Sequence, residues 1–255
     1  MTTKQVLAKL KSLGTAQTRK TYGRHGVTGD MFGVKYGDMY KLVKQIKTDH
    51  DLALSLWDSG NHDARVLATM VADPDRLTGK VLGAWIKDVD NHVLSAALAG
   101  IAGRSGAGRK LMPRWMSAKG EWPSATGWGM VSHIAAEPGA LTIEECRTLL
   151  GAVESKIHGS KNRVKYSMNS AMIAMGSYVP GLENEAVRVA KRIGQVEVDH
   201  GLTNCETPFA APYIRKAAAH HRAKLAKAAK KKTAGRKPTA SARRRGQSAG
   251  SSAMQ

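Results

Sequence analysis

The densest group of side chains able to do chemistry lies near residue 200, where VDHG is followed by NCE. In this segment Asp199 precedes His200, and Cys205 follows shortly after. A carboxylate beside an imidazole can orient the ring for general acid or base catalysis, and a cysteine can act as a nucleophile or a ligand. The alternative is a hydrogen-bonded turn that ends a helical repeat. Asp199 and His200 are therefore candidate catalytic residues. No metal site or cofactor is predicted, because His-x4-Cys alone supplies too few ligands for zinc.

A second polar group lies along a predicted helix that begins near Asn162. Its members recur at i, i+3, i+4 and i+7, so several of them share one face of the helix. Such a face suits contacts with the phosphates and sugars of a nucleic acid, and the alternative is an ordinary solvated face. The DNA-binding candidates on this helix are Arg163, Lys165, Tyr166 and Asn169.

Basic residues also cluster around a glycine-rich link, GRSGAGRK. The pattern is not a nucleotide-binding P-loop, because Lys110 is followed by Leu111 rather than by Ser or Thr. It indicates either contact with DNA phosphates or a plain turn between helices. Two tryptophans further along, near glycines and a proline, could expose a ring to a sugar or base, although burial is the alternative. The candidates from this region are Arg104, Arg109, Lys110, Arg114, Lys119, Trp122 and Trp128.

Three other tryptophans indicate the elements that must position these residues. Trp57, Trp85 and Trp115 recur at spacings of 28 and 30 residues, and each closes an apolar helical stretch that precedes a short link and another helix. Such a unit cannot bury its apolar face alone and must stack on its neighbours. The sequence therefore predicts an all-α solenoid of antiparallel helix pairs, with roughly ten to thirteen helices. The three tryptophans are predicted to be core anchors.

Local signals predict several helix boundaries. Thr2 and Thr142 each begin a capping box, and Asn61 is placed to cap another helix. Residues 14–34 are predicted to be a loop, because Gly23, Gly26, Gly29 and Gly33 punctuate the stretch. Phenylalanine is scarce while alanine and glycine are plentiful, which is typical of closely packed helices.

Charge is spread unevenly along the 255 residues. The formal net charge is +20, no acidic residue follows Glu206, and residues 215–245 hold 13 lysines and arginines, beginning with Arg215 and Lys216. This asymmetry predicts a polyanionic partner, such as nucleic acid or an anionic membrane surface. Residues 1–212 are predicted to form the repeat domain. Residues 213–255 are predicted to be a Lys/Ala-rich helix and a disordered tail, which is either a DNA-binding arm or a solvated linker.

The cellular compartment is predicted from what the sequence lacks. Cys146 and Cys205 are too few for a disulfide framework, and the first residues do not resemble a secretory signal. The longest uncharged run is too short and too polar to span a bilayer. We therefore expect a cytoplasmic protein that associates with the nucleoid and has no membrane partner.

Four stretches together carry a family resemblance: LWDSGNHDARVLATMVADP (56–74), LTGKVLGAWIKDVDN (77–91), NRVKYSMNSAMIAMGSY (162–178) and EVDHGLTNCETPFAAPYIRK (197–216). They resemble the bacterial DNA alkylation repair family, the AlkD-like DNA glycosylases built from HEAT-like repeats. The resemblance implies a C-shaped helical array whose concave face holds DNA. It also implies hydrolysis of the N-glycosidic bond of alkylated bases, helped by a carboxylate near the sugar.

The sequence departs from the family pattern at the residues that would carry this chemistry. After its DxD segment the family has a Trp and, four residues later, an Asp that acts on the sugar. Counted from Asp88 and Asp90, these two positions fall on His92 and Ala96, and another family Trp falls near Ser170. Asp88 and Asp90 therefore join the catalytic candidates, and Arg65 and His92 join the DNA-binding candidates.

The sequence as a whole predicts a DNA alkylation repair protein. We expect a monomer that binds duplex DNA through its phosphates and, if it is an enzyme, hydrolyses the N-glycosidic bond of cationic, alkylated bases. Two alternatives stay open. One is a non-catalytic DNA-binding or lesion-sensing repeat protein, and the other is a protein–protein scaffold.

Overall fold

The computed structural model describes residues 1–234. Within them the chain forms thirteen α-helices and one 3₁₀ turn. No strand occurs among these residues, so the all-α prediction and the expected number of helices are confirmed. The helices are α1 (Thr3–Leu13), α2 (Ala16–Arg24), α3 (Tyr36–Ile46), α4 (His50–Asp58), α5 (His62–Val71), α6 (Gly79–Trp85), α7 (His92–Arg104), α8 (Gly106–Met116), α9 (Glu121–Ala135), α10 (Ile143–Lys156), α11 (Asn162–Tyr178), α12 (Glu183–Ile193) and α13 (Ala210–Ala234); the 3₁₀ turn is Ile86–Asp88.

Most of the helices lie in two layers. In the first layer, α5, α7, α9 and α11 pack side by side in chain order. In the second layer, α6 packs on α8 and α10 packs on α12. Sequence neighbours join the layers, since α4 packs on α5, α8 on both α7 and α9, and α12 on α11. The predicted solenoid of antiparallel helix pairs is confirmed.

The three periodic tryptophans occupy equivalent places in the second layer. Trp57 lies in the last turn of α4, Trp85 ends α6, and Trp115 lies in the last turn of α8. None of them is more than 5% exposed, and the rings of Trp57 and Trp85 stack with their centroids 4.2 Å apart. Their prediction as core anchors is confirmed, because all three side chains are buried in the same apolar core.

Small residues allow the helices around α8 to approach closely. A Cβ atom on Gly108 would lie 2.1 Å from the carbonyl oxygen of Ala102, and one on Gly127 would lie 2.5 Å from the backbone nitrogen of Met116. Both distances are far below van der Waals contact with backbone atoms that cannot move aside. Glycine is therefore required at both positions, in agreement with the composition.

The predicted helix caps are confirmed, but the predicted loop over residues 14–34 is wrong in its first half. Capping boxes form at Thr2 and Thr142, and Asn61 caps α5. Within the expected loop, Thr15 caps α2 by accepting a hydrogen bond from the backbone N–H of Thr18. This helix was not predicted because it is mostly polar and buries only Thr18 and Tyr22, so it carries no apolar stripe.

The segment that follows α2 is held by a buried carboxylate. Asp63 has no exposed surface, and its oxygens accept hydrogen bonds from the backbone N–H groups of Phe32, Gly33 and Val34 at 2.7, 3.0 and 2.7 Å. Three charge-assisted hydrogen bonds compensate for burying the charge. They fix the segment between α2 and α3 against α5, and so position the N-terminal end of the first layer.

Residues Met1–Ala218 form one compact unit, and a second unit begins at Ala219, within α13. The first unit contains two groups of buried apolar residues, one centred on α4–α8 and one on α9–α12. The predicted Lys/Ala-rich helix is present as α13, and almost all of its residues from 219 to 230 are exposed. The prediction of a disordered tail concerns residues that, beyond Ala234, lie outside the described part. No helix within residues 1–234 is both long and apolar enough to cross a membrane.

Candidate nucleic-acid interface

Two neighbouring cavities open along the first layer of helices. The larger, of about 760 Å³, lies among α2, α3, α5, α7 and α9, and the smaller, of about 180 Å³, lies among α7, α9 and α11. His92, Ala96 and His133 line both of them. The two cavities therefore form one continuous depression, which we call the groove.

The α11 side of the groove is polar and carries a positive charge. Arg163, Tyr166, Ser167 and Ser170 line the smaller cavity from α11, and none of the residues around this cavity is acidic. Ser132 of α9 also lines it, and its hydroxyl oxygen is buried without a hydrogen-bond partner among the described residues. A buried, unsatisfied hydroxyl beside a guanidinium is suited to an oxygen-rich anionic group.

Histidines line the middle of the groove. The ring of His92, in the first turn of α7, lies 5.6 Å from the ring of His25. Burial lowers the pKa of His92 to about 4, and the nearby positive charge of Arg163 acts in the same direction. His92 is therefore neutral near pH 7. It can stack or form hydrogen bonds there, but it adds no positive charge. No group of three or more His, Cys, Asp or Glu among residues 1–234 could hold a metal ion.

The sequence-predicted residues of α11 have different surroundings. Arg163 and Tyr166 line the groove, and Tyr166 also meets the ring of His200 edge-on at 5.6 Å. Lys165 is half-buried and lines neither cavity. Asn169 is 1% exposed, and its side-chain amide donates to the carbonyl oxygen of Pro208 at 3.0 Å. Asn169 is therefore buried in a contact within the protein, and it is not accessible for the predicted contact with DNA.

The segment around residue 199 is a hydrogen-bonded turn, which was the alternative interpretation. The side chain of Asn162 bonds to both the N–H and the carbonyl oxygen of Asp199, each at 2.7 Å. The Asp199 carboxylate accepts from the N–H of Gly201 at 2.8 Å, and the His200 ring bonds to the hydroxyl of Thr207 at 2.9 Å. Neither Asp199 nor His200 lines the groove.

The two aspartates of the DxD segment also lie outside the groove walls. The indole N–H of Trp57 donates to Asp88 at 2.8 Å, and a guanidinium nitrogen of Arg65 lies 3.3 Å from the same oxygen. Arg65 also lies over the Trp57 ring, 5.6 Å from its centroid, and donates to the Trp57 carbonyl oxygen at 3.3 Å. Asp90 is exposed and accepts from the side-chain amide of Asn91 at 2.6 Å. Asp88 and Arg65 thus secure a core tryptophan. Their predicted roles in catalysis and in DNA binding stay predictions.

The residues predicted near the glycine-rich link also divide into two groups. Arg104 is exposed at the rim of the larger cavity, whereas Arg109 forms an ion pair with Glu137 and donates to the carbonyl oxygen of Gly103 at 2.9 Å. Arg109 therefore joins α8 to the end of α9. Lys110, Arg114 and Lys119 are exposed on α8 and the link after it, and they line neither cavity.

Of the two interpretations left open for the later tryptophans, burial holds for Trp128, which is 4% exposed within the second apolar core and so is not accessible for the predicted contact with DNA. Trp122 is partly buried against the first core. Both point into the protein because α9 is central to the first layer and packs on three helices. On α13, Arg215 lies 3.9 Å from Glu183, and Lys216 is exposed.

Sequence analysis missed several residues of the groove, including His25, Tyr36, Tyr40 and His133. They come from distant parts of the chain, and no common spacing links the histidines to the tyrosines. The one signal in the sequence was the i, i+4 spacing of Tyr36 and Tyr40 on α3. In the structure 38% of Tyr36 and 57% of Tyr40 is exposed. Large aromatic side chains exposed side by side are typical of a binding surface.

Two small residues of the groove lie at the positions that the resemblance assigns to reactive side chains of the family. Ala96 lines both cavities, and Ser170 lines the smaller one. These are the positions at which the resemblance placed an Asp and a Trp. The groove is thus present where the resemblance implies the site. Its lining at these two positions offers neither a carboxylate nor an indole.

Comparison with known proteins agrees with this geometry. Residues 4–231 match the family model described as DNA alkylation repair enzyme. Two uncharacterized proteins, from Listeria innocua and Listeria monocytogenes, are each 29% identical over 221 residues, which is 84% of this chain and 96% of theirs. A solved structure, described as a new family of proteins related to the HEAT-like repeat DNA glycosylases with affinity for branched DNA structures, matches with a TM-score of 0.79 and 28% identity. This match covers 87% of this chain and 96% of that one. The chain belongs to the DNA alkylation repair family and has its HEAT-like repeat fold.

Proposed function

We propose that the protein binds DNA in the groove and recognises branched or distorted DNA by shape, without excising bases. The observation that carries the proposal is the lining of the groove, where Arg163 supplies a positive charge and Ala96 lies at the position that the resemblance assigns to the family's catalytic Asp. A surface with this lining is suited to holding a phosphate backbone. It offers no carboxylate at the sugar to drive glycosidic hydrolysis.

Two acidic residues, Glu137 in the groove lining and Glu121 at the start of α9, have other partners, which also supports binding without excision. Glu137 is the acidic residue that lines the larger cavity, and it is paired with Arg109. Glu121 accepts a hydrogen bond from the backbone N–H of Arg163 at 2.7 Å, at the start of α11. A general base must reach the sugar or its water. Neither carboxylate could do so without giving up a contact that holds two helices together.

The basic residues favour contact with the DNA backbone rather than base-specific recognition. Arg104 and Arg163 lie along the groove, and further positive charge follows on α13 from Arg215 onward. Phosphate contacts position a protein on DNA but carry no sequence information. We therefore expect salt-dependent binding that is nearly independent of sequence, by a monomer that acts on nucleoid DNA in the cytoplasm.

The affinity of the solved relative for branched DNA supports the choice of substrate. Branch points open the base stack and separate the backbones, so a groove with both neutral rings and basic residues can contact more of a branch than of a straight duplex. We propose duplex arms that meet at a branch as the preferred ligand.

The test is a comparison of two charge reversals. Arg163→Glu places a negative charge in the groove, whereas Arg188→Glu makes the same change on an exposed residue of α12 that lines neither cavity. We expect Arg163→Glu to weaken binding to a three-way DNA junction by at least about tenfold, since it removes one phosphate contact and adds repulsion. We expect Arg188→Glu to bind within about twofold of the wild type. Equal effects of the two substitutions, or binding of the junction no tighter than a duplex of the same sequence, would refute the proposal.

A further inference from the structure

The larger cavity of the groove has properties that phosphate binding does not use. Its volume of about 760 Å³ lies within the range of about 300–1,000 Å³ that is typical of pockets for small ligands. Its walls come from five helices of the first compact unit, and most of its lining is apolar or aromatic. A backbone phosphate needs neither this depth nor these rings.

Flat rings stand on two sides of this cavity. Tyr36 and Tyr40 lie one turn apart on α3, with ring centroids separated by 6.4 Å, and both are substantially exposed. On the α2 and α7 side, His25 and His92 form the second pair of rings. Tyr22, at the back, is already engaged, because its hydroxyl donates to the carbonyl oxygen of Val34 at 2.6 Å. The rings of α3 are therefore available for stacking against a ligand.

The charges around the cavity limit which ligand it can hold. Its lining includes one arginine, Arg104, and one acidic residue, Glu137, which is paired with Arg109. Arg104 forms no ion pair within residues 1–234, and it lies at the rim. Burial lowers the pKa of His92 to about 4 and also lowers the pKa of His133, so neither ring adds positive charge to the interior near neutral pH. The lining matches a flat, uncharged group that is attached to an anion held outside, which is the chemistry of a nucleotide.

We propose that the larger cavity receives an unstacked nucleobase from the branch point of the DNA, stacked on Tyr40 and Tyr36, while Arg104 holds the adjoining phosphate. This inference rests on the proposed function, and it adds a specific reason for preferring branched DNA. In a continuous duplex, a base must leave its partner and its stack before it can enter a pocket, at a cost of a few kcal/mol. At a branch with unpaired nucleotides most of that cost is absent, so stacking on the tyrosines favours the branch.

The test separates the base from the backbone that carries it. One three-way junction has a single unpaired thymidine at the branch, and a second has an abasic tetrahydrofuran residue at the same place, so the phosphates are unchanged. We expect the wild type to bind the thymidine junction roughly 5- to 150-fold more tightly, the gain typical of one stacked base. We expect Tyr40→Ala to bind both junctions equally. Truncating this exposed side chain leaves no cavity in the core.

Tyr213→Ala is the matched control, because Tyr213 is also half-exposed but lies on α13 and does not line the cavity. It should keep the wild-type preference for the thymidine junction. Equal binding of the two junctions by the wild type would overturn the inference while leaving the proposed function intact. A preference that survives Tyr40→Ala and Tyr36→Ala would show that the base is held elsewhere, and it would overturn the inference as well. Failure of the wild type to bind either junction would refute the proposed function itself.

Discussion

Replacing Asp88 tests whether the DxD segment serves stability or chemistry. The Asp88 carboxylate accepts the indole N–H of Trp57, a side chain that is 1% exposed and stacked on Trp85. In Asp88→Ala this buried donor loses its partner, at a cost of about 1–3 kcal/mol. The ion pair with Arg65 adds less than about 1 kcal/mol, because 41% of the Asp88 side chain is exposed and the pair is screened by solvent. We therefore expect the free energy of unfolding to fall by about 2–3 kcal/mol.

The assay is urea denaturation followed by far-ultraviolet circular dichroism. In thermal denaturation, the same decrease in the free energy of unfolding corresponds to a melting temperature lower by roughly 4–12 °C for a domain of this length. Asp88→Asn should cost less, since its amide oxygen can still accept from Trp57. Asp90→Ala is the matched control, because Asp90 is exposed and its carboxylate accepts from the adjacent Asn91, so the substitution should change stability by no more than about 0.5 kcal/mol. Asp88→Ala with wild-type stability, or an equal decrease in Asp90→Ala, would refute the structural role of Asp88.

Three further predictions concern the tail, the groove and the helix packing. Deleting residues 219–255 should make the slope of the logarithm of the DNA-binding constant against the logarithm of the salt concentration shallower, by about 0.9 for each phosphate that the tail neutralises in the full-length protein. An unchanged slope would exclude the tail from the DNA interface. The pKa of His92 is lowered to about 4 in the folded protein. The unfolded state therefore binds more protons between about pH 6.5 and pH 4, so the free energy of unfolding falls as the pH falls through that window. His92→Gln should lose less stability than the wild type over that window, in denaturation measured at each pH, and an identical decrease would contradict the assignment. Gly127→Ala should destabilise the protein by more than the roughly 1–3 kcal/mol usual for overpacking, because the added Cβ would meet backbone atoms. The control is Gly23→Ala, which should not be destabilising because no atom lies within 4 Å of the added Cβ.

Local signals were sufficient to predict the repeat architecture. The spacing of Trp57, Trp85 and Trp115 reflects a packing requirement that recurs in each helix pair, and the caps at Thr2, Asn61 and Thr142 act within one turn of helix. The short helix α2 was missed because its position depends on Tyr22 and on contacts made by the following segment, rather than on an apolar stripe of its own.

The groove could be predicted only in part, because stacking of the helices assembles it from distant residues. Arg163 and Tyr166 were found from their shared helix face, while His25 and His133 became neighbours of His92 only through tertiary packing. The sequence also cannot distinguish a carboxylate that faces a groove from one that accepts a buried indole N–H. For that reason nothing in the sequence indicated that Asp88 accepts a hydrogen bond from Trp57.

Binding without excision is supported by carboxylates that are engaged in structural contacts. Asp88 secures Trp57, Glu137 pairs with Arg109, and Asp199 closes a turn. The family position that would supply an acid in the groove is Ala96. We propose on this basis that the protein keeps the family's DNA-binding scaffold without a carboxylate placed to stabilise a developing positive charge on the sugar.

The most direct test of binding without excision is one incubation with two measurements. Purified full-length protein is mixed, in excess, with methylated DNA that contains both duplex and three-way-junction forms, and the bound fraction is measured alongside released bases and abasic sites. We predict that the junction is bound in preference to the duplex, and that bases are released no faster than from the same DNA without protein. Protein-dependent release of methylated bases would contradict binding without excision, because the Glu137 carboxylate that lines the groove is paired with Arg109.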